Sequence, residues 1–317
     1  MSASSSSKTR PILVRLFRYD SVATLREAAW GTLFATPWLL GLLFFVLGPI
    51  LVSMYLSFTK YDVISSPTWI GLDNYIRAFV GDDLFWPSFG RTFRYALAVV
   101  PLGITGSLLL AMLLNQGLVS TSVFRTLYFL PHLTPGVAMA LLWVWLLHPT
   151  IGPINYALGL LGIEGPGWFS STEWAIPATI LVSLWANLGG NQMIVFLAGL
   201  QGVPQELYDA AEVDGAGRWR KLVHVTLPMI SPTLFFNLIM GVIGSLKVFT
   251  VAFVATQGGP HWATWFCALH LFRVSFQYFE MGYGAALAWI FAAVLILLTL
   301  VQFRVSQKWV YYAGEGI

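Results

Sequence analysis

Charge is what this sequence has least of. Only 10% of its 317 residues are Asp, Glu, Lys or Arg, where a soluble domain carries about a quarter. That deficit excludes an ordinary soluble surface and points to one facing lipid, where charge is costly. Cysteine is nearly absent too: Cys267 stands alone, which excludes an internal disulfide. No G-x-x-x-x-G-K-[ST] stretch occurs, and none of the five lysines follows a glycine, so no Walker-type ATP site is encoded. The five histidines (His132, His148, His224, His261, His270) are scattered, with no metal-ligand spacing. Of these, His132 falls inside an apolar run and reads as a packed, neutral ring. Gly-x-Ser-x-Gly and similar nucleophile signals are missing as well. No catalytic residue, metal or cofactor is therefore expected on this chain.

What the chain has in abundance is apolar sequence, 57% of it, with a mean hydropathy of +0.73. A helix needs about 20 apolar residues to cross the hydrocarbon. Six stretches qualify: Trp30–Phe58, Phe93–Leu114, Phe124–Leu147, Trp174–Leu200, Leu227–Ala255 and Tyr283–Phe303. None alternates with period two, so helices are expected rather than barrel strands. Pro37, Pro49, Pro101, Pro135, Pro177 and Pro232 predict kinks, which membrane helices tolerate when neighbours satisfy the freed carbonyls. The fourteen Trp and twelve Tyr suit two membrane interfaces.

Orientation follows from Lys and Arg. Eleven of them fall on the side of the N-terminal tail, against five on the other, which predicts both termini in the cytoplasm. That placement also accounts for the net charge of +3 without nucleic acid. Residues 1–10 are Ser-rich, and no signal peptide is evident. The segment Pro11–Leu25 sets Ile12, Leu13, Leu16 and Phe17 against Arg15 and Arg18, as an interfacial helix would, although a plain tether fits equally. On the outer side, Trp69–Phe79 predicts a short amphipathic helix capped by Asp73 or Asn74.

All fourteen carboxylates fall outside the six spans. A proton-coupled carrier needs an Asp or Glu at membrane depth, and a sodium-coupled one would show matched broken helices in two repeats. An ion-coupled secondary carrier is thus the weaker alternative, and a membrane enzyme or receptor weaker still.

Attention then moves to the long loop Gln201–Leu227. Pro204 suits a first helical turn, Glu206 and Asp209 favour the helix N-terminus, and Gly215 provides a stop. On that helix Leu207, Ala210, Ala211 and Asp214 share one face, with small alanines that let a partner approach closely. Asp209 and Glu212 are placed to pair with basic groups at the partner's rim. A basic segment, Arg218–His224, leads back to the membrane.

The run Asp209-Ala-Ala-x-x-Asp214-Gly215 followed by Leu227-Pro228 resembles the EAA loop of permease subunits of binding-protein-dependent ABC importers. Leu130-Pro131 with Trp143 and Pro149, Gly71–Tyr75, Thr256–Thr264, Gly282–Ala286 and Gln302–Arg304 resemble the sugar-importer branch, and most closely the first permease of maltose and glycerol-3-phosphate type systems. One departure stands out: the family usually has Glu where this chain has Asp209, one methylene shorter.

The resemblance implies an all-α membrane protein of type I ABC importer permease fold with six transmembrane helices. It divides the chain into a cytoplasmic tail (1–29), a first span and extracytoplasmic loop (30–90), an ABC transmembrane type-1 domain of five helices with the EAA loop at 201–227 (91–304), and a cytoplasmic tail (305–317). It also implies a second homologous permease in a heterodimer, two ATPase subunits that bind ATP and Mg, and an extracytoplasmic solute-binding protein. The location would be a bacterial or archaeal cell membrane, the inner one in a Gram-negative cell. ATPase coupling would fall to Leu207, Asp209, Ala210, Ala211, Asp214 and Gly215. Candidates for the substrate path are the polar groups at depth, Asn187, Asn191, Gln192, Asn237, Ser245 and Lys247, each of which could instead serve to hold helices together. Lys247 could also snorkel outward, pair with the partner permease, or attract an anionic substrate.

Overall fold

The computed structural model describes residues 22–116 and 120–311. The interfacial segment expected at Pro11–Leu25 lies outside these except at its end, where a helix starting at Val22 is already under way. By contacts the chain divides into two units, Met1–Leu56 and Ser57–Ile317.

The first unit contains most of α1 (Arg26–Ser57), an apolar helix of 32 residues. Its winding widens to an i→i+5 turn over Leu42–Leu47, just before Pro49, while Pro37 is carried inside regular helix. Phe34, Trp38, Phe45 and Leu51 along it are all exposed, as suits a lipid-facing rod.

The second unit opens on a two-stranded ribbon. β1 (Thr59–Lys60) pairs antiparallel with β2 (Thr68–Trp69), Thr59 opposite Trp69. A short helix, α2 (Asp73–Ile76), runs into a wide turn at Arg77–Gly81. Asn74 does not cap it as expected. Its Nδ2 instead donates to the carbonyls of Ser57 and Thr59, at 2.9 Å each, and so pins the ribbon.

Then come the long elements. α3 (Phe85–Leu114) and α13 (Met281–Ser306) are, with α1, the three helices among the described residues that are long and apolar enough to cross a membrane alone. Three further crossings would be bent pairs: α4 (Thr121–Leu133) with α5 (Gly136–Leu146), α7 (Ala175–Asn187) with α8 (Asn191–Gln201), and α10 (Arg218–Met229) with α11 (Ser231–Leu246). Their bends are 95°, 48° and 68°. Pro135 explains the first, because it forces Thr134 into extended backbone (ψ 129°). The third falls at Ile230, just ahead of Pro232 in the first turn of α11. The second comes from neither proline nor charge. Pro177 sits harmlessly in the first turn of α7, and the break lies at Leu188-Gly189-Gly190.

Shorter pieces complete the unit: α6 (Pro153–Leu160), α9 (Gln205–Val213) and α12 (Cys267–Phe272), the last extended by a wide turn over Arg273–Gln277. α3 is the central strut. At its C-terminal end Ala111 and Leu114 pack with Phe196, Leu197 and Leu200 of α8 and with Ile230. At the other end Phe85 packs with Val274, Tyr283 and Leu287. Both clusters pack on this one helix of 30 residues, about 45 Å long.

Candidate functional site

Midway along α3 the helices leave a cavity of about 290 Å³. α3 contributes Tyr95, Val99, Val100 and Gly103, and α11 contributes Met240, Gly241, Gly244 and Ser245. The broken helix α7–α8 supplies most of the polar groups: Ser183, Asn187, Asn191 and Gln192. His132 of α4 joins them, so its ring faces a cavity as well as packing near Phe129, with centroids 5.6 Å apart.

The break at Leu188–Gly190 makes this lining possible. It needs glycine for space, since a Cβ on Gly189 would stand 2.0 Å from the Tyr128 carbonyl oxygen. One on Gly190 would stand 2.7 Å from His132 Nδ1. The carbonyl of Leu188 accepts a hydrogen bond from Ser107 Oγ at 2.8 Å, so the interruption leaves no naked acceptor there. Gln192 lies between two glycines on different helices. A Cβ at Gly241 would meet its Nε2 at 3.2 Å, and one at Gly103 its Oε1 at 3.7 Å. Tyr95 donates to Ser183 Oγ at 2.7 Å, and Asn187 Nδ2 donates to the Ser183 carbonyl. The polar groups of the lining are thus amide, hydroxyl and imidazole, set among Val99, Val100, Leu184, Leu188 and Met240, and among the described residues no carboxylate, lysine or arginine lines it.

Of the six residues read as substrate-path candidates, the structure brings four together here: Asn187, Asn191, Gln192 and Ser245. The other two stand elsewhere. Asn237, two turns before Ser245 on α11, is 2% exposed, and its Nδ2 has no hydrogen-bond partner among the described residues. Lys247 is exposed at the C-terminal end of α11, where the helix dipole favours a cation. Sequence reasoning missed Tyr95, Ser183 and His132. Polar residues deep in a span were a usable signal for all three. The glycines at 103, 241 and 244 were visible too, but only the fold shows that they face one space.

The second candidate region is the hairpin between α8 and α11. α9 begins right after Pro204 and ends in a full glycine cap: Gly215 has φ +73°, Ala216 N–H donates to Ala211 O, and Gly215 N–H donates to Glu212 O. Leu207, Asp209, Ala210, Asp214 and Gly215 are exposed and Ala211 is half-buried. Val213 and Trp219 stand out in the open, 88% and 74% exposed. Within the chain, Asp209 Oδ1 accepts from Gln205 Nε2, and Glu212 pairs with Lys221 at 2.7 Å. Glu212, read as a rim group for a partner, is thus already engaged at home.

At the opposite end of α3 lies a cluster the sequence did not announce. Trp265 Nε1–H donates to His270 Nδ1 at 3.1 Å, which leaves the ring proton on Nε2, donated to Asp82 Oδ2 at 2.9 Å. Tyr283 donates to the same oxygen at 2.5 Å, and Leu84 N–H donates to Oδ1. Burial would raise the Asp82 carboxyl, but the bonds from His270 and Tyr283 outweigh it and hold the group well below the usual carboxylate range. Arg77 lies over the Tyr283 ring, 4.1 Å from its centre, and pairs with Glu280 at 2.8 Å. Three segments, residues 77–84, 265–270 and 280–283, are stapled together. Among the described residues, no group of His, Cys, Asp or Glu is placed to hold a metal ion.

Comparison with known proteins places these features. The chain is 40% identical over 305 residues to the "Probable ABC transporter permease protein YesP" of Bacillus subtilis, covering 95% of this chain and 96% of that protein. It is 31% identical over 295 residues to the "Sulfoquinovosyl glycerol transport system permease protein SmoG" of Agrobacterium fabrum, covering 92% and 95%. With the "sn-glycerol-3-phosphate transport system permease protein UgpA" of Yersinia pestis it shares 34% identity over 248 residues, covering 78% and 83%. Its fold superposes with a TM-score of 0.81 on a chain of a bacterial ABC transporter involved in the import of the acidic polysaccharide alginate, at 24% identity, covering 93% of this chain and 99% of that one. Residues 103–311, which hold all of the cavity lining but Tyr95, Val99 and Val100, the hairpin, and the far cluster's His270 and Tyr283, match the family described as "Binding-protein-dependent transport system inner membrane component". This chain belongs to that family, and has the type I ABC importer permease fold.

Proposed function

We propose that this chain is a pore-forming permease subunit of an ATP-driven importer for a sugar, oligosaccharide or sugar-like solute. The observation that carries the reading is the cavity: a space at the break of α7–α8 with no carboxylate, lysine or arginine in its lining, where hydroxyls and amides are set among apolar side chains and aromatic Tyr95 stands in the wall. Such groups replace the water lost by a polyhydroxylated solute, and the apolar wall suits the faces of a sugar ring.

In this reading six spans cross a bacterial or archaeal cell membrane, three of them bent, with both termini in the cytoplasm. The chain pairs with a second permease. α9 docks on one of two ATPase subunits, which bind ATP and Mg. A solute-binding protein delivers cargo at the outer face, the end with the Asp82 cluster. ATP binding on the partners would draw α9 inward and, through Leu227-Pro228, rock α11 at the cavity wall.

The test is uptake in proteoliposomes containing the chain, its partner permease and both ATPases. Uptake should require ATP and the cargo-loaded binding protein. Uptake driven by an ion gradient with no ATP present would establish the secondary carrier instead. Ala210→Trp should abolish transport while the subunit still inserts, because a bulky side chain blocks close docking of α9. Normal transport in that variant would remove α9 from the mechanism.

One observation extends the substrate class. Relatives named for sulfoquinovosyl glycerol and glycerol-3-phosphate transport handle anions, and Lys247 is an exposed cation at the interrupted end of α11. Standing outside the cavity lining, it would attract an anion rather than grip it. Lys247→Gln should weaken uptake of acidic sugars and spare neutral ones. Unchanged selectivity would remove this role.

A further inference from the structure

α9 is joined to α10 covalently by a return segment, Asp214–Gly217, that contains two glycines. Gly215 closes the cap of α9 through its own N–H, but a Cβ there would have no neighbour within 4 Å. A displacement of α9 would be absorbed by this segment unless something else ties the helix to α10 and α11.

Two ties exist, both on one face of α9, at positions four residues apart. Tyr208 Oη lies 3.0 Å from Thr226 Oγ1. Thr226 is 6% exposed, and its Oγ1 also lies 3.4 Å from the Lys221 carbonyl oxygen. The Tyr208–Thr226 contact is the shorter of the two, and either hydroxyl can donate in it. It joins α9 to the wide turn Leu222–Thr226 that leads into Leu227-Pro228 and α11. The second tie is the Lys221–Glu212 ion pair, whose carboxylate side is 73% exposed. Exposed pairs are screened by salt; the hydroxyl contact, with Thr226 buried, carries no charge to screen.

We propose that Tyr208 and Thr226 are the positioning residues that make α9, α10 and α11 move as one body, so that force applied to α9 reaches the cavity wall. This rests on the reading of the chain as an ATP-driven permease. The ion pair is secondary.

The test uses the permease purified in complex with its ATPases, in a Cys267→Ala background, spin-labelled at Val213→Cys on α9 and Phe236→Cys on α11. The interlabel distance is measured without nucleotide and with a non-hydrolysable ATP analogue. In the otherwise unaltered complex, and with Thr226→Ser, the distance should be the same in both states. With Tyr208→Phe or Thr226→Val it should change on nucleotide binding by up to about one helical turn, ~5 Å, while ATP is still hydrolysed. Glu212→Gln should behave as the unaltered chain does.

A constant distance in Tyr208→Phe and Thr226→Val overturns the proposal. So does a shift in Thr226→Ser, which would assign the effect to the lost methyl rather than to the hydroxyl. Tyr208→Phe removes one oxygen and keeps the ring, and co-purification with the ATPases checks that each variant is folded. An unaltered complex that binds no ATPase overturns the importer reading itself, and this proposal with it; a positive complex with rigid variants overturns the proposal alone.

Discussion

The cavity and the hairpin both depend on glycine, and for opposite reasons. Gly189 is needed because its neighbours leave no room: a Cβ would stand 2.0 Å from a backbone oxygen that cannot swing aside. Gly215 is surrounded by open space and is needed because its φ of +73° disfavours any side chain. In the cavity the fold constrains the residue by contact, and in the hairpin by dihedral angle. A close-packed cavity wall and a freely exposed helix are different engineering problems, and the glycines record the difference.

That contrast can be broken by substitution. Gly189→Ala should cost about 3 kcal/mol or more, the upper end for overpacking, and reduce the yield of folded, membrane-inserted protein sharply. If thermal denaturation of Gly189→Ala in detergent matches the unaltered chain, the break is not space-limited. Gly215→Ala should cost only about 1–2 kcal/mol, and Gly215→Asn less, since Asn tolerates the left-handed region. Equal losses for Ala and Asn would show that space matters there after all.

A third comparison sharpens the first two by adding a site stabilised through charge. Asp82→Asn should cost about 2–3 kcal/mol, because His270, Tyr283 and Leu84 N–H lose a charged acceptor. The Asp82 carboxyl is depressed in the folded state. Its contribution is therefore present above the unfolded value, about 3.9, and is lost as pH falls towards the folded one. The difference in melting temperature between the unaltered chain and Asp82→Asn should shrink as pH falls below about 4. A difference that grows in acid would reverse the assignment. The smallest effect is expected for Glu212→Gln, under about 1 kcal/mol, and further reduced by salt.

How much of this the amino-acid order discloses varies by mechanism. Apolar runs located the three long helices and the three bent pairs because length and hydropathy are local properties. Pro135 and Pro232 marked two of the three bends for the same reason. Pro177 misled, since a proline in a first helical turn loses nothing, and the bend came instead from Gly189-Gly190, whose need is set by Tyr128 and His132 on another helix. The stop at Gly215 was legible because a helix cap is written in adjacent residues. Asp82 meeting His270 and Tyr283, some 190 to 200 positions away, is a tertiary fact with no local trace. Asn74 shows the limit within a single residue: a good cap by type, it was claimed by the carbonyls of Ser57 and Thr59 instead.

The wide turn at Leu222–Thr226 has one more consequence. Such a turn holds one residue beyond what regular winding needs, and each residue of helix is worth about 100° of rotation. The direction in which Ala210 and Ala211 face relative to α11 is therefore set in coarse steps by chain length. The wide turn absorbs its surplus residue, so a single deletion there would restore regular winding with Ala210 and Ala211 facing nearly as before, whereas the same deletion in regular helix beside it would turn the hairpin by about 100°.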